Sequence, residues 1–120
     1  VTRKRILYLV GRAPGLGALT REVIDAILVA AAFDQDVGVL FTGDGVLQLA
    51  PGDPDHPHSA RDPTRAWLAL PTYEVTRVYV DQAAVSRARL AGVRLTLEPQ
   101  LVPATDLAEL IAAHDVVLTG

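Results

Sequence analysis

Cysteine is missing from all 120 residues. That excludes disulfides, thiolate metal centres and thiol nucleophiles together. Lysine is nearly missing: Lys4 stands alone and every other basic residue is arginine. Eleven basic against fourteen acidic side chains leave a formal net charge of −3. Direct nucleic-acid binding rests on cations that neutralise phosphates, so this balance does not favour it. Aromatic side chains are few: Tyr8, Phe33, Phe41, Trp67, Tyr73 and Tyr79. No apolar run approaches the roughly 18 residues of a membrane span. The basic start, Thr2-Arg3-Lys4-Arg5, is followed by an apolar stretch that stops at Val10, too short for a secretory leader. These absences lead to the expectation of a cytoplasmic protein without a membrane partner.

What is present is a core of small and branched side chains, since half the residues are hydrophobic. A chain of this length forms one domain and buries about two-thirds of its unfolded surface. We therefore expect a single α/β domain over residues 1–120. Ile6–Val10 and Val37–Phe41 are nearly continuous apolar runs, the mark of buried parallel strands. Val75–Val80 and Asp115–Thr119 read as further strands, Val93–Leu97 as a short one, and Leu101-Val102 as extended. Between them, helical spacing marks residues 18–33, with Leu19, Val23, Ile27 and Ala30 inward. Helices are also expected at 64–70 with Thr64 as N-cap, at 82–90 and at 106–113, and a helical turn at 46–50. Strands alternating with helices predict a mainly parallel sheet with helices on both faces, layered as in flavodoxins.

Three places invite a chemical reading. The Gly11–Gly17 loop follows the first strand, where helix N-termini attract phosphates. It lacks G-x-G-x-x-G and Gly-Lys-Ser/Thr, and a tight strand-to-helix turn explains its glycines equally well. A free-standing nucleotide- or phosphate-binding domain is the alternative function it supports. The Pro51–Pro63 segment carries Asp53, Asp55, His56 and His58, all metal-compatible residue types. Prolines 54 and 57 make neighbouring side chains diverge, so an exposed loop without metal is expected there. Asp44 and Asp81 fall at the carboxyl ends of strands, where open α/β sheets place ligands. A carboxylate pair could exchange protons; the favoured expectation is that Asp44 serves a turn and Asp81 caps the next helix. His114 is expected to end a helix and meet its dipole. Trp67 and Leu70 read as core or interface anchors. No cofactor site emerges.

The stretch Ala31–Leu49, AAFDQDVGVLFTGDGVLQL, resembles the DsrE/DsrF-like family, and within it the DsrF/TusC type of subunit. Asp44-Gly45-Val46 with Gln48-Leu49 is similar to that family's D-G-V-x-Q-L signature. Arg12-Ala13-Pro14-Gly15, Tyr73–Asp81 and His114–Leu118 are similar to its first loop, third strand and last strand. The wording of Phe33–Asp36 leans towards the sulfur-oxidation branch. The resemblance implies a sulfur relay that serves either 2-thiolation of the tRNA wobble uridine or dissimilatory sulfur oxidation. It implies DsrE/TusD-type and DsrH/TusB-type partner subunits in a hetero-hexamer; a domain this apolar is also expected to self-associate when alone. In the carrier subunit a cysteine near the end of strand three holds the sulfur; here that junction is Val80-Asp81-Gln82. Some DsrF-type chains carry another cysteine in strand two, at about Gly38 here. A chain without either is expected to scaffold transfer rather than catalyse it. The residues expected at the partner contact or pocket rim are Gly43, Asp44, Gly45, Val46, Leu47, Leu49, Trp67, Leu70 and Asp81.

Overall fold

The computed structural model describes residues 3–14, 19–51 and 63–119. Five strands form one sheet: β1 Arg5–Val10, β2 Asp36–Phe41, β3 Arg77–Asp81, β4 Gln100–Val102 and β5 Val116–Thr119. The spatial order is β4-β3-β2-β1-β5, and every neighbouring pair is parallel. The helices are α1 Leu19–Ala32, α2 Gln82–Arg87 and α3 Leu107–Ala112. Three 3₁₀ segments, Gly43–Leu49, Pro63–Tyr73 and Ala104–Asp106, complete the described elements. The expected parallel α/β sheet is therefore observed.

Local chemistry ends the helices cleanly. Asp34 takes φ 61°, and its N–H reaches Ala31 O at 3.0 Å while Gln35 N–H reaches Ala30 O at 3.3 Å. This is a Schellman closure on a non-glycine residue, a position aspartate tolerates better than most. Arg89 repeats the device after α2, with bonds from Arg89 N–H to Ser86 O and from Leu90 N–H to Val85 O.

Side-chain alternation gives the sheet two unlike faces. Val37, Val39, Phe41, Val78 and Val80 meet Ile24, Ile27, Trp67 and Leu70 in the main core. Leu7 and Leu40 are buried as well, yet lie outside that cluster, on the face shared with Gly38 and Arg77. His114, just past α3, contacts Arg77 and so places α3 at this second face.

Two expectations need correction. Val93–Leu97 is not a strand: Thr96 N–H bonds Leu49 O at 2.9 Å, drawing the segment towards the Gly43–Leu49 turn. Leu97 and Glu98 then take φ 68° and 46°, which no strand accommodates. The chain becomes extended only after Pro99, and β4 forms at Gln100–Val102. The third strand also starts later than Val75, because Val75 N–H closes a turn onto Leu70 O.

Candidate functional site at the carboxyl edge of the sheet

β1, β2 and β3 end side by side and deliver three connections to one edge. After β1 come exposed residues Gly11 to Pro14; after β2, Thr42 and the Gly43–Leu49 turn; after β3, Asp81. Thr42 N–H donates to Val10 O at 3.0 Å, and Gly45 N–H donates to Thr42 O at 2.9 Å. Gly43 takes φ 54°, which glycine adopts freely. Gly45 answers a different demand. A Cβ there would stand 1.9 Å from the backbone oxygen of Val10, so the turn lies on the end of β1 only because position 45 has no side chain.

Gln48 holds the edge together from beneath. It is buried, and its Oε1 accepts from Trp67 Nε1 at 3.2 Å. Its Nε2 donates to Arg12 O at 3.2 Å and lies 3.5 Å from Thr20 Oγ1. One amide thus joins the first loop, α1, the Gly43–Leu49 turn and the Pro63–Tyr73 segment. Phe41 meets Trp67 edge-on, with centroids 4.9 Å apart and planes at 75°. Such a pair contributes about 0.5–1.5 kcal/mol beyond its area burial. In the sequence Gln48 stands only as part of the D-G-V-x-Q-L segment, with no role of its own. The signal was there: a polar residue between Leu47 and Leu49 in an apolar run.

Asp81 is 6% exposed, and both its oxygens are engaged. Oδ1 accepts from Ala83 N–H at 3.0 Å, capping α2, and Oδ2 receives Thr42 Oγ1 at 3.4 Å. The capping alternative is the observed one. Asp44 is exposed in the turn.

Four apolar residues of the expected partner contact or pocket rim are buried within this chain. Val46, Leu49, Trp67 and Leu70 have 0% exposure. They belong to the protein's own core, because the 3₁₀ segments turn their apolar sides under the sheet edge. Gly45 is buried against β1. Gly43, Asp44 and Leu47 do face outward, Leu47 at 37% exposure.

Among the described residues, no group of three His, Asp or Glu side chains could hold a metal ion. Asp53, Asp55, His56 and His58 lie outside the described residues, as do Gly15 and Gly17 of the first loop. No described helix is long and apolar enough to cross a membrane.

The model of the DsrE/DsrF-like family matches residues 4–119. This chain belongs to the DsrE/DsrF-like family. A Pseudomonas aeruginosa protein named "Protein TusC homolog" is 36% identical over 116 residues, which span 95% of this chain and 96% of that protein. The "Intracellular sulfur oxidation protein DsrF" of Allochromatium vinosum is 39% identical over 79 residues, 66% of this chain and 58% of that protein. The crystal structure of the ychN protein from E. coli matches with a TM-score of 0.77 at 16% identity, over 99% of this chain and all of that one. That likeness shows the fold alone.

Proposed function

We propose that this chain is a non-carrier subunit of a sulfur-relay complex, scaffolding persulfide transfer by a cysteine-bearing partner. The names of its TusC and DsrF relatives support the relay, in tRNA 2-thiouridine synthesis or in dissimilatory sulfur oxidation. The observation that carries the non-carrier role is at the end of β3. Where the resemblance places a sulfur-carrying cysteine, Asp81 is spent on capping α2 and binding Thr42. A persulfide needs a thiolate to form and to hand on, and these 120 residues contain none.

The partners in this reading are DsrE/TusD-type and DsrH/TusB-type subunits, two copies of each chain forming a hetero-hexamer. Gly43, Asp44 and Leu47 supply the rim that meets a partner. Gly45, Val46, Gln48, Leu49 and Trp67 hold that rim in place from below.

Co-expression with a cysteine-bearing family member tests this. A defined complex should form, and intact-mass spectrometry after exposure to a persulfide donor should find added sulfur on the partner alone. Sulfur stably attached to this chain, or full transfer activity without it, would overturn the reading.

A further inference from the structure

At the amino edge of the sheet, a polar network ties α3 to the strands beneath it. Arg77 Nε donates to Asp36 Oδ1 at 3.0 Å, and Nη2 donates to Asp36 O at 3.1 Å and pairs with Oδ1 at 2.9 Å. The remaining nitrogen, Nη1, stands 2.8 Å from His114 Nε2. Guanidinium has no acceptor, so Nε2 must accept. The imidazole is therefore neutral, with its proton on Nδ1, which donates to Leu110 O at 2.8 Å. Both ring nitrogens are committed. Room for the guanidinium comes from Gly38, where a Cβ would stand 2.8 Å from Nη1.

The groups around His114 come from every packed element: Arg77 from β3, Asp36 from β2, Arg5 from β1, the Leu110 carbonyl from α3, and Asp115 in its own turn. Arg5 holds the far side. Its N–H donates to Asp115 Oδ2 at 2.9 Å and its Nη1 to Ala113 O at 3.0 Å, while its Nε lies 3.6 Å from Asp36 Oδ2.

The apolar hold on α3 is thin. It has six residues and none is fully buried. A cleft of about 310 Å³ opens between it, the middle of β3 and β4, lined among others by Tyr79, Val102, Asp106 and Leu110.

We propose that His114 and Arg77 form a pH-sensitive latch: protonation of His114 frees α3 from the sheet and uncovers the apolar face beneath it. A proton on Nε2 would set donor against donor and cation against cation. Arg77 stays with Asp36 through its other nitrogens, so the imidazole is the group that moves. Arg5 still grips Ala113 and Asp115, so β5 keeps its place and the opening is confined to α3. Burial, joined by the charges of Arg77 and Arg5, holds the His114 pKa below 6.5, against the opposing pull of the Leu110 bond and Asp36. For a base with a depressed folded pKa, the stabilisation is present above the unfolded value and lost as pH falls through the folded one. The latched state weakens by up to about tenfold per pH unit between those two values, and below the folded one the loss is complete. The proposal is independent of the sulfur-relay reading.

The test is amide hydrogen exchange on the full chain at about pH 5 and pH 7.5, corrected for intrinsic rates, together with an NMR titration of the His114 ring. The reporter amides are Ala113 and His114, which bond Glu109 O and Ile111 O. Their protection should be lost at the lower pH while α1 stays protected, with the midpoint of the ring titration. In His114→Gln the protection should not respond to pH. An unchanged wild-type protection, a pH step that persists in the variant, or simultaneous loss of α1 protection would overturn the latch. Should the variant not fold, the wild-type ring decides alone: a midpoint at or above the ordinary histidine value overturns it.

Discussion

The guanidinium of Arg77 occupies the space that a side chain on Gly38 would fill: a Cβ there would stand 2.8 Å from Nη1. Glycine inside a buried strand weakens it, so a close neighbour is the physical reason for one here. Gly38→Ala should push Arg77 away from Asp36 and His114. We expect a loss of about 1–3 kcal/mol, the usual range for overpacking. Gly45→Ala should be worse, because its obstacle is the Val10 carbonyl, a backbone group rather than the end of a flexible side chain. Urea unfolding of the two variants, followed by the single tryptophan, ranks them.

The Gln48–Trp67 pair predicts strong coupling. Gln48→Leu leaves the Trp67 N–H unpaired in the interior, and Trp67→Phe leaves the Gln48 carbonyl unpaired. Each unsatisfied buried group costs about 1–3 kcal/mol. With both partners apolar, part of that penalty disappears. The double variant should be less destabilised than the sum of the singles by about 0.5–3 kcal/mol. Strict additivity, measured by chemical denaturation, would contradict the described bond.

Burial raises the Tyr8 pKa above 10.0. An acid with a raised folded pKa contributes stability that is present below its unfolded value and lost as pH rises through the folded one. Stability should therefore decline above about pH 10, and Tyr8→Phe should remove that part of the decline. Denaturation midpoints measured at several alkaline pH values decide it; identical slopes in both proteins would rule out a role for Tyr8.

Leu47 tests the proposed partner rim without disturbing the core. It is exposed where Val46 and Leu49 are not. Leu47→Asp should leave the unfolding midpoint nearly unchanged while weakening a complex with a cysteine-bearing partner by about tenfold or more, the effect of one contact residue of moderate weight. Calorimetric titration measures it; unchanged affinity would move the contact elsewhere.

Much of the architecture was legible in the linear chain. Ile6–Val10 and Val37–Phe41 announced β1 and β2 because a strand covered on both faces needs apolar residues throughout. The periodicity of residues 18–33 announced α1, and the D-G-V-x-Q-L segment announced the family. These signals are local, since neighbouring residues carry them. Leu101-Val102 was legible as extended chain and lies in β4, but the strand expected at Val93–Leu97 does not form. Val93, Leu95 and Leu97 alternate as a strand would, yet a single bond from Thr96 to Leu49 commits that segment to another part of the molecule.

The same limit governs the site. Sequence alone determined that no thiol is available, that glycines bracket Asp44, and that Asp81 stands ready to cap a helix. Only the tertiary structure decided which apolar residues face inward, withdrawing Val46, Leu49, Trp67 and Leu70 from the surface. It also decided that Gln48 ties Arg12, Thr20 and Trp67 together, and that Arg77 passes over Gly38 to reach His114. Those contacts join residues 19 to 37 positions apart. Composition and periodicity carry no information about such pairs, because strand order and crossover alone bring them within bonding distance.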